Sequence, residues 1–337
     1  MKRSRLIGFL LTVGLALGFG SGAANAEVKE VRIAEQFGIG YLPLQMMRDR
    51  SLLEKHAKKL GLGDIKVTWS RFSGGRAMND ALLSGNLDFA SGGVGPLLTI
   101  WDKTKGNLEV KGVAAINSMP LYLNTNNPNV KSLKDFTEKD KIALPAVKVS
   151  VQARTLQMAA EKEFGPGKHE ALDRFTVSMK HPDGVAAMLS GRSEITGHLT
   201  SPPYQQRELQ DSKVRRILSS YDVLGGKSTF NAIWTSSKFR VENPKTYQAF
   251  VSALKEAMEL INANKSAASD VFMKQTKSKL DPEFVRKIVL DPENEFTVTP
   301  RNTMKYAEFM HKVGALKTKA SSWKDYFFPE IHDLSGS

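Results

Sequence analysis

The 337-residue chain contains no cysteine. That excludes disulfide staples, thiol nucleophiles and thiolate metal sites, so the fold must rest on packing and hydrogen bonding. Histidine is scarce as well. There are six, and none falls into the H-x-x-x-H or H-E-x-x-H spacing that places two imidazoles on one helix face, so no metal is expected. No G-x-S-x-G elbow occurs, and no nucleophile, base and orienter stand out as a set, which argues against hydrolytic or acyl-transfer chemistry. Long apolar runs are missing too. The longest, Leu6 to Phe19, spans 14 residues and carries several glycines, short of the ~20 needed to cross a bilayer.

That run has another reading. Lys2, Arg3 and Arg5 precede it and Ala24-Asn25-Ala26 follows, the pattern of a secretory signal peptide over 1–26 with cleavage after Ala26. Without a cysteine at that point no lipid can be attached, so the mature chain is expected to be free in the periplasm. Its removal takes the formal charge from +13 to +10. The basic residues are scattered in pairs such as Lys58-Lys59 rather than massed, and export argues against nucleic acid, so they read as a generally basic surface.

What the chain does contain is an internal repeat. Ala81-Leu-Leu-Ser-Gly85-Asn-Leu-Asp88-Phe89 returns 106 positions later as Ala187-Met-Leu-Ser-Gly191-Arg-Ser-Glu194-Ile195. Each copy reads as a helix end, a glycine able to take the left-handed conformation, and a strand opening on a carboxylate. Each is preceded by a strand and a loop: Val67-Thr-Trp69 and Phe72-Ser-Gly-Gly75 before the first, Phe175-Thr-Val177 and Lys180-His-Pro-Asp183 before the second. Two similar α/β lobes suggest a clamp. The break at Asn117-Ser-Met-Pro120, followed by the Asn126-Asn-Pro-Asn129 turn, is expected to carry the chain into the second lobe, and Phe230–Ser236 with Asn243-Pro244 to bring it back. The expected division is therefore 27–119 with 236–337 for lobe one and 120–235 for lobe two. A helix is expected from Pro43 through Met46, Met47, Leu52 and Leu53 toward Gly61, a long helical stretch over 245–276, and further helices opening at Asp281-Pro282 and Thr299-Pro300.

Alternation of strands and helices predicts mostly parallel sheets, which bind ligands beyond the carboxyl ends of their strands. The candidate pocket turns are then 36–42, 72–76, 147–152 and 180–183, joined by the loops 91–96 and 197–203. Helix N-termini at such turns offer unpaired N–H groups to an anion. From these turns we select Gln36, Phe37, Gly38 and Tyr41; Ser73, Gly74, Gly75 and Arg76; Gly92, Gly93 and Val94; Ser150 and Val151; His181; and His198, Ser201 and Pro202, with Asn117 at the crossing. The double glycines let a ligand approach the backbone. Arg76 and His198 are the expected donors to its charge. Asp88 and Glu194 lie at strand starts away from the cleft, where loop hydrogen bonding is the expected role.

Over the whole mature chain this arrangement resembles the periplasmic solute-binding proteins of the nitrate, sulfonate and taurine class of ABC importers, including NMT1-like, thiamine-precursor-binding relatives. Residues 81–89 match that family's Ala-Leu-x-x-Gly-x-x-Asp-Phe pattern, and Asn243-Pro244 precedes a long helix with Phe250 and Ala253 as in its members. The second copy departs from the pattern, with Glu194 for the usual aspartate and the loop His198-Leu-Thr-Ser-Pro202-Pro203-Tyr204. The resemblance implies a type II periplasmic-binding-protein fold: two α/β lobes, two hinge crossings, a small anionic organic ligand between them, an inner-membrane permease as partner, no cofactor, and a monomer that is not an enzyme. The alternative it leaves is a pyrimidine-binding protein or a pyridoxal-phosphate-dependent synthase on the same scaffold, which needs a Schiff-base lysine or a sacrificial histidine in the cleft.

Overall fold

The structure, a computed structural model, describes residues 26–337. Residues 1–25 of the expected signal peptide lie outside the described residues. The chain opens with β1 (Glu30–Glu35), α1 (Leu42–Asp49), α2 (Leu52–Lys59), β2 (Lys66–Arg71), α3 (Gly75–Leu83), β3 (Ala90–Gly93), α4 (Val94–Lys103) and β4 (Lys111–Ala115). It continues through β5 (Tyr122–Thr125), β6 (Lys141–Leu144), α5 (Val151–Phe164), β7 (Thr176–Ser178), α6 (His181–Ser190), β8 (Ile195–Thr200), α7 (Tyr204–Glu208), β9 (Arg215–Ser219) and α8 (Ser220–Leu224). Then come β10 (Asn231–Thr235), α9 (Ser237–Glu242), α10 (Pro244–Ala263), α11 (Lys265–Thr276), α12 (Pro282–Leu290) and α13 (Thr303–Lys312).

The two repeat copies build the same sheet twice. In the second lobe the order is β7-β6-β8-β5-β9, with β5 antiparallel to both neighbours. In the first, β1 pairs in parallel with β2, and bonds such as Ala34 N to Phe89 O at 3.0 Å tie it to the segment entering β3, which β10 joins antiparallel to β4. The first order is thus β2-β1-β3-β10-β4. Four strands of each five run the same way, as the alternating pattern predicts, and the odd one is the strand that has just crossed from the other lobe. Because β10 is already paired with β3 and β4, the return crossing falls within 225–230, before the position expected for it after residue 235. A fully buried apolar strand reads the same in either sheet, so the sequence could not decide which sheet it joins.

Both repeat glycines turn left-handed after their helices, Gly85 at φ 72 and Gly191 at φ 62. Asp88 binds Arg32 through its backbone N–H (2.7 Å) and its guanidinium (2.6 Å), so it fastens β1 to β3 as a structural group. Expected helices are shorter in three places. Ser51 at φ 49 separates α1 from α2; Asn264 ends α10 and caps α11 by accepting from Ala267 N at 2.9 Å. The helix expected at Pro300 begins only at Thr303, because Arg301 N donates instead to Thr229 Oγ1 at 2.8 Å. Asp281 does open α12, accepting from Phe284 N at 2.8 Å.

The C-terminal helices cover the first lobe. Phe250 on α10 stacks on Phe89 with ring centroids 3.8 Å apart, and Phe239 meets the same ring edge-on at 5.1 Å. Full burial of side chains this size contributes roughly 1.5–3 kcal/mol each. α13 also reaches across to lobe two, where the Tyr306 hydroxyl lies 2.8 Å from Thr155 Oγ1 on α5.

Candidate binding cleft

The carboxyl ends of β1, β2 and β3 face those of β6, β7 and β8, and the turns that follow them meet. Ile39 N donates to Pro202 O at 3.1 Å, a backbone hydrogen bond from one lobe to the other. Glycines permit this approach. A Cβ on Gly38 would lie 2.8 Å from Pro202 O, one on Gly93 2.5 Å from Val151 Cγ1, and one on Gly74 3.2 Å from Pro145 O. The turn entering α1 is pinned from below: Asn117 Nδ2 donates to Gly40 O at 2.6 Å, and Asn231 Nδ2 to the Tyr41 hydroxyl at 3.1 Å.

The space at the centre is bounded by Gln36, Phe37, Tyr41, Gly75, Gly93, Pro96, Pro145, Ser150, Val151, Gln152, His181 and Phe230. With the lobes in contact it measures about 10 Å³, room for roughly one water. Thus Gln36, Phe37, Tyr41, Gly75, Gly93, Ser150, Val151 and His181 are brought together. Gln36 is steered by its Nε2 donating to Ser91 O at 3.2 Å, and Ser150 caps α5 by accepting from Ala153 N at 3.2 Å. Gly92 and Val94 are buried beside them, Gly92 against Gln36 and Trp234. Ser201 is buried next to Gly38 with its hydroxyl unpartnered among the described residues. Ser73, Gly74 and Arg76 face elsewhere: they line a groove of about 480 Å³ on the far side of the Gly74–Pro145 contact, and Arg76 is exposed there.

His198 does not reach the central space either. It stands behind His181 in a buried chain of polar groups. His198 Nδ1 lies 2.5 Å from Glu208 Oε1, so that nitrogen carries the proton and donates. His198 Nε2 lies 3.0 Å from His181 Nδ1, which is also 3.0 Å from Thr200 Oγ1, and His181 Nε2 lies 3.2 Å from Gln152 Nε2. Along the chain Gln152 donates to His181, His181 to His198, and His198 to Glu208, whose other oxygen accepts from Asn124 Nδ2 at 2.9 Å. Burial, aided by the neighbouring His198, pushes the His181 imidazole well below its ordinary pKa, so it is neutral at pH 7.

Sequence reading missed Gln152 as an individual and Glu208 altogether. Gln152 lay inside a flagged turn, but nothing in its neighbours distinguished it. Glu208 comes to His198 only because α7 folds back over β8, ten residues later.

A family model described as the NMT1-like family matches residues 24–273. This chain belongs to the NMT1-like family. No curated protein sequence matches the chain. Among solved structures, this NMT1-like protein is similar to the alkanesulfonate-binding protein SsuA from Xanthomonas axonopodis pv. citri bound to MOPS, at 16% identity and a TM-score of 0.69, covering 88% of this chain and 96% of that one. It is similar to the periplasmic aliphatic sulphonate binding protein SsuA from Escherichia coli, at 19% identity and TM-score 0.63 over 87% and 96%. The periplasmic nitrate-binding protein NrtA from Synechocystis PCC 6803 matches at 16% identity and TM-score 0.68 over 87% and 84%. These likenesses establish the two-lobed periplasmic-binding-protein fold. Among the described residues no helix is long and apolar enough to cross a membrane.

Proposed function

We propose that this NMT1-like protein is the extracytoplasmic substrate-binding component of an ABC importer, a monomer exported to the periplasm that captures a small organic anion between its lobes and presents it to a permease. The observation that carries the reading is the meeting of strand-end turns from two equivalent sheets, joined by Ile39 N and Pro202 O, around a space that a ligand can enter only if the lobes part. Opening about the crossings near 116–121 and 225–230 admits the ligand, and contacts to both lobes favour the closed form. Micromolar affinity, about 8 kcal/mol, suffices, and no bond is broken. The fold neighbours named for sulfonate and nitrate binding support an anion.

Two features favour a receptor over a synthase. No lysine lines the central space, and Lys279, in the cavity next to it, is exposed. Both nearby histidines are engaged in the chain that ends on Glu208.

The test is a thermal-shift panel on mature protein refolded once to strip bound ligand, using taurine, ethanesulfonate, nitrate, benzoate and pyridoxal phosphate. A ligand at a hundred times its dissociation constant adds ~2.7 kcal/mol of stability. The expected result is a saturable shift with an anion that is recovered unchanged. An imine absorbance with pyridoxal phosphate, or conversion of the ligand, would refute the receptor reading.

A further inference from the structure

Beyond Phe37 the cleft widens into a cavity of about 430 Å³, and Gln36 and Phe37 line both this cavity and the central space. Its volume lies within the range of small-molecule sites, roughly 300–1,000 Å³. Both lobes build it. Arg71 ends β2, and Phe272, Thr276 and Lys279 come from the end of α11 and the segment after it; Pro182, Val185, Tyr204 and Arg207 come from α6 and α7.

The charges in its wall have one sign. Arg71, Arg207 and Lys279 line it, and no carboxylate does. Arg71 is held by Glu35 at 2.7 Å, but that buried carboxylate also serves Arg48 at 3.2 Å, so two guanidinium groups share one negative charge. Among the described residues, neither Arg207 nor Lys279 forms an ion pair. The wall therefore carries more positive charge than the protein itself neutralises. Like charges lining one wall repel each other unless a counter-charge sits among them, and because Arg207 and Lys279 are exposed, water screens part of that repulsion.

Much of the rest of the wall is apolar, although Gln36, Thr276 and Ser278 also line it. Phe37, Tyr204 and Phe272 contribute rings, with Pro182, Val185 and Leu280 between them. Arg71 lies over the Phe37 ring at 5.4 Å, which fixes the ring as a surface with a cation on one side. Burial raises the pKa of Tyr204, keeping its hydroxyl protonated as a neutral donor. Nitrate or taurine would leave those rings without a partner and most of the volume to water.

We infer that this cavity is a subsite for the ring of the ligand, and that the ligand is an aromatic or alicyclic dianion, one acidic group held by Arg71 and the other by Arg207 and Lys279. The inference rests on the receptor reading above and narrows it. A ring beside Phe37 and Tyr204 takes up the apolar wall, while its acidic groups match Arg71 and Lys279 from lobe one and Arg207 from lobe two, so the ligand itself draws the lobes together.

The experiment is isothermal titration of the stripped mature chain with 4-sulfobenzoate, benzenesulfonate and taurine, on the natural protein, Arg207→Gln with Lys279→Gln, Phe37→Ala, and a control Lys238→Gln on α9. Arg207 and Lys279 are both exposed, and melting without ligand verifies that the variants are folded. The expected order is 4-sulfobenzoate tightest by at least tenfold, a tenfold or greater loss in the double variant and in Phe37→Ala, and no change in the control. Taurine binding as tightly as 4-sulfobenzoate, or full affinity for 4-sulfobenzoate in the double variant, would overturn the subsite and leave the receptor reading standing. Failure of all three anions to bind any of the proteins would overturn the subsite, and would remove the receptor reading as well if nitrate and benzoate also fail to bind.

Discussion

His181 Nδ1 and His198 Nε2 face each other at 3.0 Å inside the second lobe, and only one proton fits between them. The pair lies between Gln152, at the central space, and Glu208, in the lobe interior. One consequence concerns pH. His181 is held neutral by burial, while in the unfolded chain it titrates near its ordinary value of about 6.5. Above that value neither state carries the proton and the residue has no effect on the pH profile. As pH falls below it, the unfolded chain takes up a proton that the native chain refuses, and stability drops by up to about 1.4 kcal/mol per unit. Denaturant melts between pH 7.5 and 5 should show this slope, and His181→Gln should flatten it. An unchanged slope in that variant would mean that another group is responsible.

Glu208 anchors the same chain. Truncation to alanine leaves the His198 Nδ1–H and one Asn124 N–H donor without their acceptor in a site closed to solvent. An unpaired buried group costs about 1–3 kcal/mol. Glu208→Ala should therefore lower the unfolding free energy by at least that much in urea melts, and a loss under 0.5 kcal/mol would mean that water replaces the carboxylate.

Gly93 tests lobe contact with little interference from folding. Its φ of −66° suits any residue, so the only cost of a side chain is the 2.5 Å approach to Val151 Cγ1 across the cleft. Gly93→Ala should keep its ligand-free melting temperature, weaken anion binding by tenfold or more, and enlarge the radius of gyration in solution scattering with ligand. Val151→Gly in the same chain should recover part of the affinity. Unaltered binding in Gly93→Ala would show that closure does not bring these residues together.

Phe89 provides the opposite case, a residue of the core remote from the cleft. Its ring is fully buried between Phe250 and Phe239. Phe89→Ala should cost about 3–5 kcal/mol in denaturant melts. Its anion affinity, measured on the folded fraction, should stay within twofold.

The repeat made much of this fold legible. A helix end, a left-handed glycine and a strand occur twice in the sequence, and Gly85 and Gly191 both adopt that conformation in copies of one sheet. The turns around the cleft followed from the strand ends, because parallel sheets leave their binding crevice there. Individual roles were less visible. His198, the fourth residue of β8, faces into the lobe toward Glu208, and a contact made by a later helix leaves no local periodicity to find. Arg207 and Lys279 read as ordinary surface charge until α7 and the segment after α11 place them on one cavity. Helix lengths were overestimated at Ser51 and Asn264 because apolar spacing continues through both breaks.

Closure on an anion is the central claim, and the absence of cysteine makes it directly measurable. Asn86→Cys and Arg192→Cys place one spin label on each exposed repeat turn, one in each lobe. Pulsed electron–electron resonance then reads their separation in stripped protein, and again with saturating taurine, nitrate and 4-sulfobenzoate in turn. A receptor that closes gives a longer or broader distribution without ligand and a single shorter distance with at least one of the three. The same distribution in all four samples would contradict the account.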